Sequence, residues 1–72
     1  MDREIELQKL GDRIKEVRKS RNLTQVDLSS LMNKDQQSIQ RIESGRINPS
    51  YLVLKQVCQG LGVTLEELLK DL

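Results

Sequence analysis

Apolar residues recur along this chain at steps of three and four, and no run alternates at period two. That spacing is the mark of helices that bury one face. Leu7, Leu10, Ile14 and Val17 predict a first helix from about Glu4 to Arg21. Gly11 lies inside it, at a cost of about 1 kcal/mol relative to alanine, so the first turns are expected to fray. Asn22 tolerates the left-handed backbone that ends a helix. Thr24 starts a second helix as an N-cap facing the amide of Asp27, an aspartate version of the capping box. Val26, Leu28 and Leu31 supply its apolar side, and it stops near Met32.

Asn33 and Lys34 leave room only for a sharp turn, and Asn33 suits positive φ. Asp35 then caps a third helix that runs to about Ser44 and closes on Gly45. Pro49 holds Asn48 extended. Ser50 caps a fourth helix carrying Leu54, Val57, Cys58 and Leu61, before Gly60 and Gly62 break the chain. Thr64 and Glu67 form a full capping box for a last helix with Leu65, Leu68, Leu69 and Leu72 on its apolar side. The expected class is all-α, a five-helix bundle forming a single domain over residues 1–72.

Length and composition narrow the functions such a bundle can have. A chain of 72 residues buries only about 60% of its unfolded surface, which leaves no room for a deep catalytic cavity. Cys58 is the only cysteine and there is no histidine, so neither a disulfide framework nor a zinc site is available. One unpaired thiol suits a reducing cytoplasm. No apolar stretch approaches the roughly 18 residues of a membrane span. Nothing in the sequence implies a cofactor, a metal or a small-molecule ligand, and an enzyme is not expected. The net charge is only +1, yet Arg13, Lys15, Arg18, Lys19 and Arg21 gather in one segment. A charge run on a helix is most often a solvated face, so this asymmetry weighs little alone.

The second and third helices are short and joined by about three residues, which is helix-turn-helix geometry. On the third, Ile39, Ile42 and Glu43 point one way, while Gln36, Gln37, Gln40 and Ser44 point the other with Arg41 at the flank. A glutamine amide offers a donor and an acceptor together, which matches the major-groove edge of adenine. The first residues of such a helix are the ones that enter the groove. Glutamines also simply keep helices soluble; the preceding helix and turn tip the balance toward base reading. Glu43 as a catalytic acid would lack a second acid, a histidine or a metal cluster. With Tyr51 as the sole aromatic, stacking of unpaired bases is not expected.

From Leu10 to Leu69 the chain resembles the Cro/cI-type helix-turn-helix regulators, also called the Xre family. The matching pieces are Ile14-Lys15-Glu16-Val17-Arg18, Leu23-Thr24-Gln25 with Leu28, Ile39-Gln40-Arg41-Ile42-Glu43-Ser44-Gly45, Asn48-Pro49-Ser50 and Leu61-Gly62-Val63-Thr64-Leu65-Glu66-Glu67-Leu68. Residues 1–9 then form an N-terminal helical extension to a family-like core of about 10–69. The run Asp35-Gln36-Gln37-Ser38-Ile39 is similar to the recognition helix of a lambdoid phage repressor, and the chain length resembles restriction-modification controller proteins. Lys34 and Asp35 depart from the family pattern, which favours an apolar residue before a serine or threonine cap.

The resemblance implies a sequence-specific regulator, repressor or controller, that reads double-stranded DNA as a homodimer on a palindromic operator. Gln36, Gln37, Ser38 and Gln40 would face the bases; Gln25, Arg41, Ser44 and Arg46 would hold phosphates. Arg18 and Glu43 would pair structurally. Ile47, Tyr51, Leu65, Leu69 and Leu72 are candidate dimer contacts, although Leu69 and Leu72 could equally close the monomer core. Cys58 reads as a buried small hydrophobe. The alternatives are a protein-interaction module such as an antitoxin, toward which Lys34 and Asp35 lean, or the DNA-binding half of a longer regulator.

Overall fold

The computed structural model describes all 72 residues and holds five helices and no strand: α1 (Arg3–Ser20), α2 (Gln25–Leu31), α3 (Gln36–Glu43), α4 (Tyr51–Leu61) and α5 (Leu65–Leu69). Local chemistry sets these boundaries. Each helix starts on a side chain that accepts a hydrogen bond from the amide three residues on: Asp2 from Ile5, Thr24 from Asp27, Asp35 from Ser38, Ser50 from Val53 and Thr64 from Glu67. At Thr24 and Thr64 the bond is returned, because the carboxylates of Asp27 and Glu67 accept from the cap amides at 2.8 and 3.0 Å. These contacts satisfy amides that the first turn of a helix leaves without partners. The same bonds hold the carboxyls of Asp27, Asp35 and Glu67 below their ordinary range. Reversal after α1 and α2 uses positive φ at Asn22 (59°) and Asn33 (54°).

Nine buried apolar side chains from all five helices and the α2–α3 turn make one core: Ile14, Leu28, Met32, Ile39, Ile42, Val57, Cys58, Leu61 and Leu68. Within it α3 packs on both α1 and α2, α2 also meets α4, and α5 closes the base against α1 and α4. The recognition candidate is thereby clamped from two sides. No helix is long and apolar enough to cross a membrane.

Three expectations need correction. Gly11 is no fraying point: α1 is continuous through it, and it is buried where α1 crosses α3. A Cβ there would collide with the carbonyl oxygen of Glu43 and stand 2.7 Å from its carbonyl carbon and from the oxygen of Ile42. Val26 and Leu31 do not line the core; they are 57% and 61% exposed, and Leu28 and Met32 carry the inward face of this segment. The basic run is also not one free surface. Arg13 donates to the carbonyls of Leu68 and Glu67, both at 2.9 Å, and so ties α5 to α1. Arg18 is buried.

Candidate nucleic-acid interface

The inner side of α3 fixes how its outer side is presented. Ile39 and Ile42 are 1% and 3% exposed, so the helix cannot roll without pulling apolar surface into water. Glu43 completes the inner face at 4% exposure, where a lone carboxylate would be costly. Arg18 meets it with both arms of its fork, Nε to Oε2 at 2.7 Å and Nη2 to Oε1 at 3.0 Å. Its remaining Nη1 donates to the carbonyl of Leu23 at 2.8 Å, at the entry to α2. One guanidinium thus links α1, α3 and the start of α2. Bidentate geometry of this kind is specific as well as strong.

On the outer side Gln36, Gln37, Gln40 and Arg41 are exposed, with Arg46 exposed just beyond the helix. Ser44 is half-buried as the C-cap, its hydroxyl donating to the carbonyl of Arg41. Ser38 is half-buried, and its hydroxyl donates to the Asp35 carboxylate at 3.1 Å, leaving only lone pairs for another partner. Asp35 accepts from both the backbone and the hydroxyl of Ser38, and these bonds, with a smaller pull from Arg41, hold its carboxyl below the ordinary value.

Gln25 sits differently from a free phosphate ligand. Its amide nitrogen donates to Glu43 Oε1 at 3.1 Å, and its amide oxygen accepts from Gln36 Nε2 at 3.0 Å. Sequence reasoning missed this link. Residues 25 and 36 each open a helix, and the helix-turn-helix brings these two starts together; that adjacency was the available signal.

Of the candidate dimer residues, Tyr51 is 62% exposed, Leu72 48%, and Ile47 and Leu69 each 39%. Leu65 is half-buried against the core and Leu68 fully buried. Leu69 and Leu72 therefore leave much of their surface uncovered in the single chain. Leu52, which sequence reasoning passed over, is 71% exposed beside Tyr51.

The family pattern described as Helix-turn-helix (HTH_3) matches residues 14–68. The chain belongs to the helix-turn-helix family. It is 38% identical over 62 residues to the immunity repressor protein of Bacillus phage phi105, an alignment covering 86% of this chain but 43% of that protein. It is 32% identical over 65 residues to the control protein C.MunI of Mycoplasma sp, covering 89% of this chain and 88% of the relative. Among solved structures, the restriction-modification controller protein C.AhdI from Aeromonas hydrophila superposes with a TM-score of 0.86 at 28% identity, over 89% of this chain and 97% of the other. The wild-type controller C.Esp1396I superposes at 0.81 with 31% identity, over 86% and 80% of the two chains. The chain spans less than half of the phage repressor and between 80% and 97% of the controllers. Family and relatives together make this helix-turn-helix unit a DNA-binding regulator of the repressor or controller type.

Proposed function

We propose that the chain binds double-stranded DNA as a homodimer on a palindromic operator in the cytoplasm, reads the major groove with α3, and acts by occupancy and not by catalysis. The supporting observation is the division of α3. Ile39, Ile42 and Glu43 are held inside, while Gln36, Gln37 and Gln40 stand exposed on the opposite side. Gln36 and Gln37, at the first two positions, read base edges, with adenine as the natural match for an amide. Gln40 reaches a base or a phosphate, with Ser38 beside it. Arg41, Ser44 and Arg46 hold the backbone, and Gln25 adds the one side-chain N–H that its bonds to Glu43 and Gln36 leave free; such contacts fix register and salt dependence without carrying sequence.

One α3 spans only a few base pairs, so useful specificity needs two half-sites about one helical turn apart. The exposed Ile47, Tyr51, Leu69 and Leu72 are apolar surface that a second copy would cover, with Leu65 contributing only its open edge. The partial coverage of the phage repressor supports one further reading, that this unit is the DNA-binding part of a longer regulator.

Selection from random duplex DNA tests the assignment. Gln36→Ala and Gln37→Ala are each expected to flatten the preference at one position per half-site, at a cost of about 1–3 kcal/mol. If both variants return the wild-type consensus, α3 is not the reader.

A further inference from the structure

Asp35 carries a negative charge at the edge of the surface assigned to DNA, where phosphates repel it. Capping α3 does not account for that charge. Serine and asparagine cap a helix as well as aspartate does, and neutral Thr24, Ser50 and Thr64 begin three of the other four helices. The dipole of an eight-residue helix favours the charge only modestly at an exposed position. None of the chain's three ion pairs includes Asp35. Its hydrogen bonds are also one-sided. The amide of Ser38 donates to Oδ1 at 2.7 Å, and the Ser38 hydroxyl donates to the same atom at 3.1 Å. Oδ2 receives neither, and the backbone of Gln37 adds only the weakest pull on the carboxyl. The residue is exposed, next in the chain to exposed Gln36 and Gln37. Ser38 thus anchors one oxygen and leaves the other as a charged acceptor for an outside partner.

We propose that Asp35 Oδ2 reads a cytosine, accepting a hydrogen bond from its N4 amino group at a base pair adjoining those met by Gln36 and Gln37. This rests on the reading of those glutamines as base contacts. In the major groove guanine N7 and O6, adenine N7 and thymine O4 are all acceptors and repel a carboxylate. Only adenine N6 and cytosine N4 donate. Adenine N6 lies between its own N7 and the thymine O4, so an acceptor flanks it on each side. Cytosine N4 has guanine O6 on one side and only the C5–H on the other. A carboxylate therefore favours cytosine over adenine. Because the donor belongs to one strand, it also fixes the orientation of the G·C pair. The same charge penalises sites that offer no such donor, contacts to phosphates alone included. Asp35 is thus a specificity-determining residue, lowering binding to random sequence more than binding to the operator.

The test is selection from random duplex DNA with wild type, Asp35→Asn and Asp35→Ser, all of which keep a capping residue. In Asp35→Asn the side-chain oxygen must stay on Ser38, whose amide can only donate, so the NH₂ takes the place of Oδ2. A donor then stands where an acceptor stood. Thymine carries O4 where cytosine carries N4. The selected base is therefore expected to change from cytosine to thymine, each preferred by about 5-fold or more over the other in its own protein. Serine is too short to reach the base, and Asp35→Ser should lose the preference at that position alone. Both variants should bind random duplex more tightly than wild type at equal salt; equal or weaker binding would contradict the role given to the charge. A wild-type consensus without cytosine beside the glutamine positions would overturn the proposal. So would variants that keep the cytosine, or that both flatten it with no gain of thymine in Asp35→Asn. Gln36→Ala and Gln37→Ala, selected in parallel, separate the two readings. If they too return the wild-type consensus, the fault lies in placing the start of α3 against the bases.

Discussion

Substituting Gly11 by alanine sets two effects against each other. Helix propensity favours alanine by about 1 kcal/mol, which would stabilise α1. Packing opposes it, because the new Cβ would lie 2.7 Å or less from the backbone atoms of Ile42 and Glu43. Backbone cannot rotate aside as a side chain can, so α1 and α3 must separate. Overpacking of this kind costs about 1–3 kcal/mol. Separation also strains the Arg18–Glu43 fork, whose bonds are 2.7 and 3.0 Å. The net loss is expected at about 2 kcal/mol, against a total of about 4–11 kcal/mol for a chain of this length. In thermal unfolding this is a fall in Tm of roughly 10 °C. Urea unfolding should show a lower midpoint with an unchanged slope, meaning stability has changed and compactness has not. A Gly11→Ala protein more stable than wild type by about 1 kcal/mol would refute the crossing argument, for only propensity would then be at work.

Arg18→Met strands the Glu43 carboxylate in the core and should cost about 3–5 kcal/mol in urea unfolding, with Arg18→Met/Glu43→Leu recovering most of it; a small loss in the single variant would contradict burial of the pair. Asp27, Asp35 and Glu67 are lowered from ordinary values of 3.8, 3.8 and 4.5. Depressed carboxyls give stability that is complete above the ordinary values and lost as pH falls through the lower folded ones. Helicity by circular dichroism should therefore hold at pH 6 and decline below about pH 4, and Asp35→Asn should make that decline shallower. Leu69→Lys with Leu72→Lys should leave the monomer folded and shift sedimentation toward it, whereas an unaltered dimer would move the interface elsewhere.

Helix starts were legible in the sequence because they are local. Thr24 with Asp27, Ser50, Asp35, and Thr64 with Glu67 each act within one turn, and the structure uses all of them. The two faces of α3 were equally legible, since 3.6 residues per turn sorts Ile39, Ile42 and Glu43 from the glutamines without tertiary information. What escaped depends on distant neighbours. Gly11 looks like a weak helix residue until the backbone of Glu43 is laid against it. Val26 and Leu31 fit a helical pattern, yet α2 turns only Leu28, Ser29 and then Met32 inward. Arg13 looks like a free surface charge until the carbonyls of α5 come within 2.9 Å. The engagement of Gln25 with both Glu43 and Gln36 depends on how two helix starts meet, which periodicity does not encode.

The central claim is that the outward amide face of α3 is where DNA lies. Titrating isotopically labelled protein with its selected duplex and following every backbone and side-chain amide tests this most directly. The account predicts that Gln36, Gln37, Gln40 and Arg41 move most, with Gln25 beside them, and that Leu69 at the end of α5 and Leu72 beyond it are unaffected by the duplex itself. Perturbations confined to α4 and α5, with the glutamine resonances still, would contradict it.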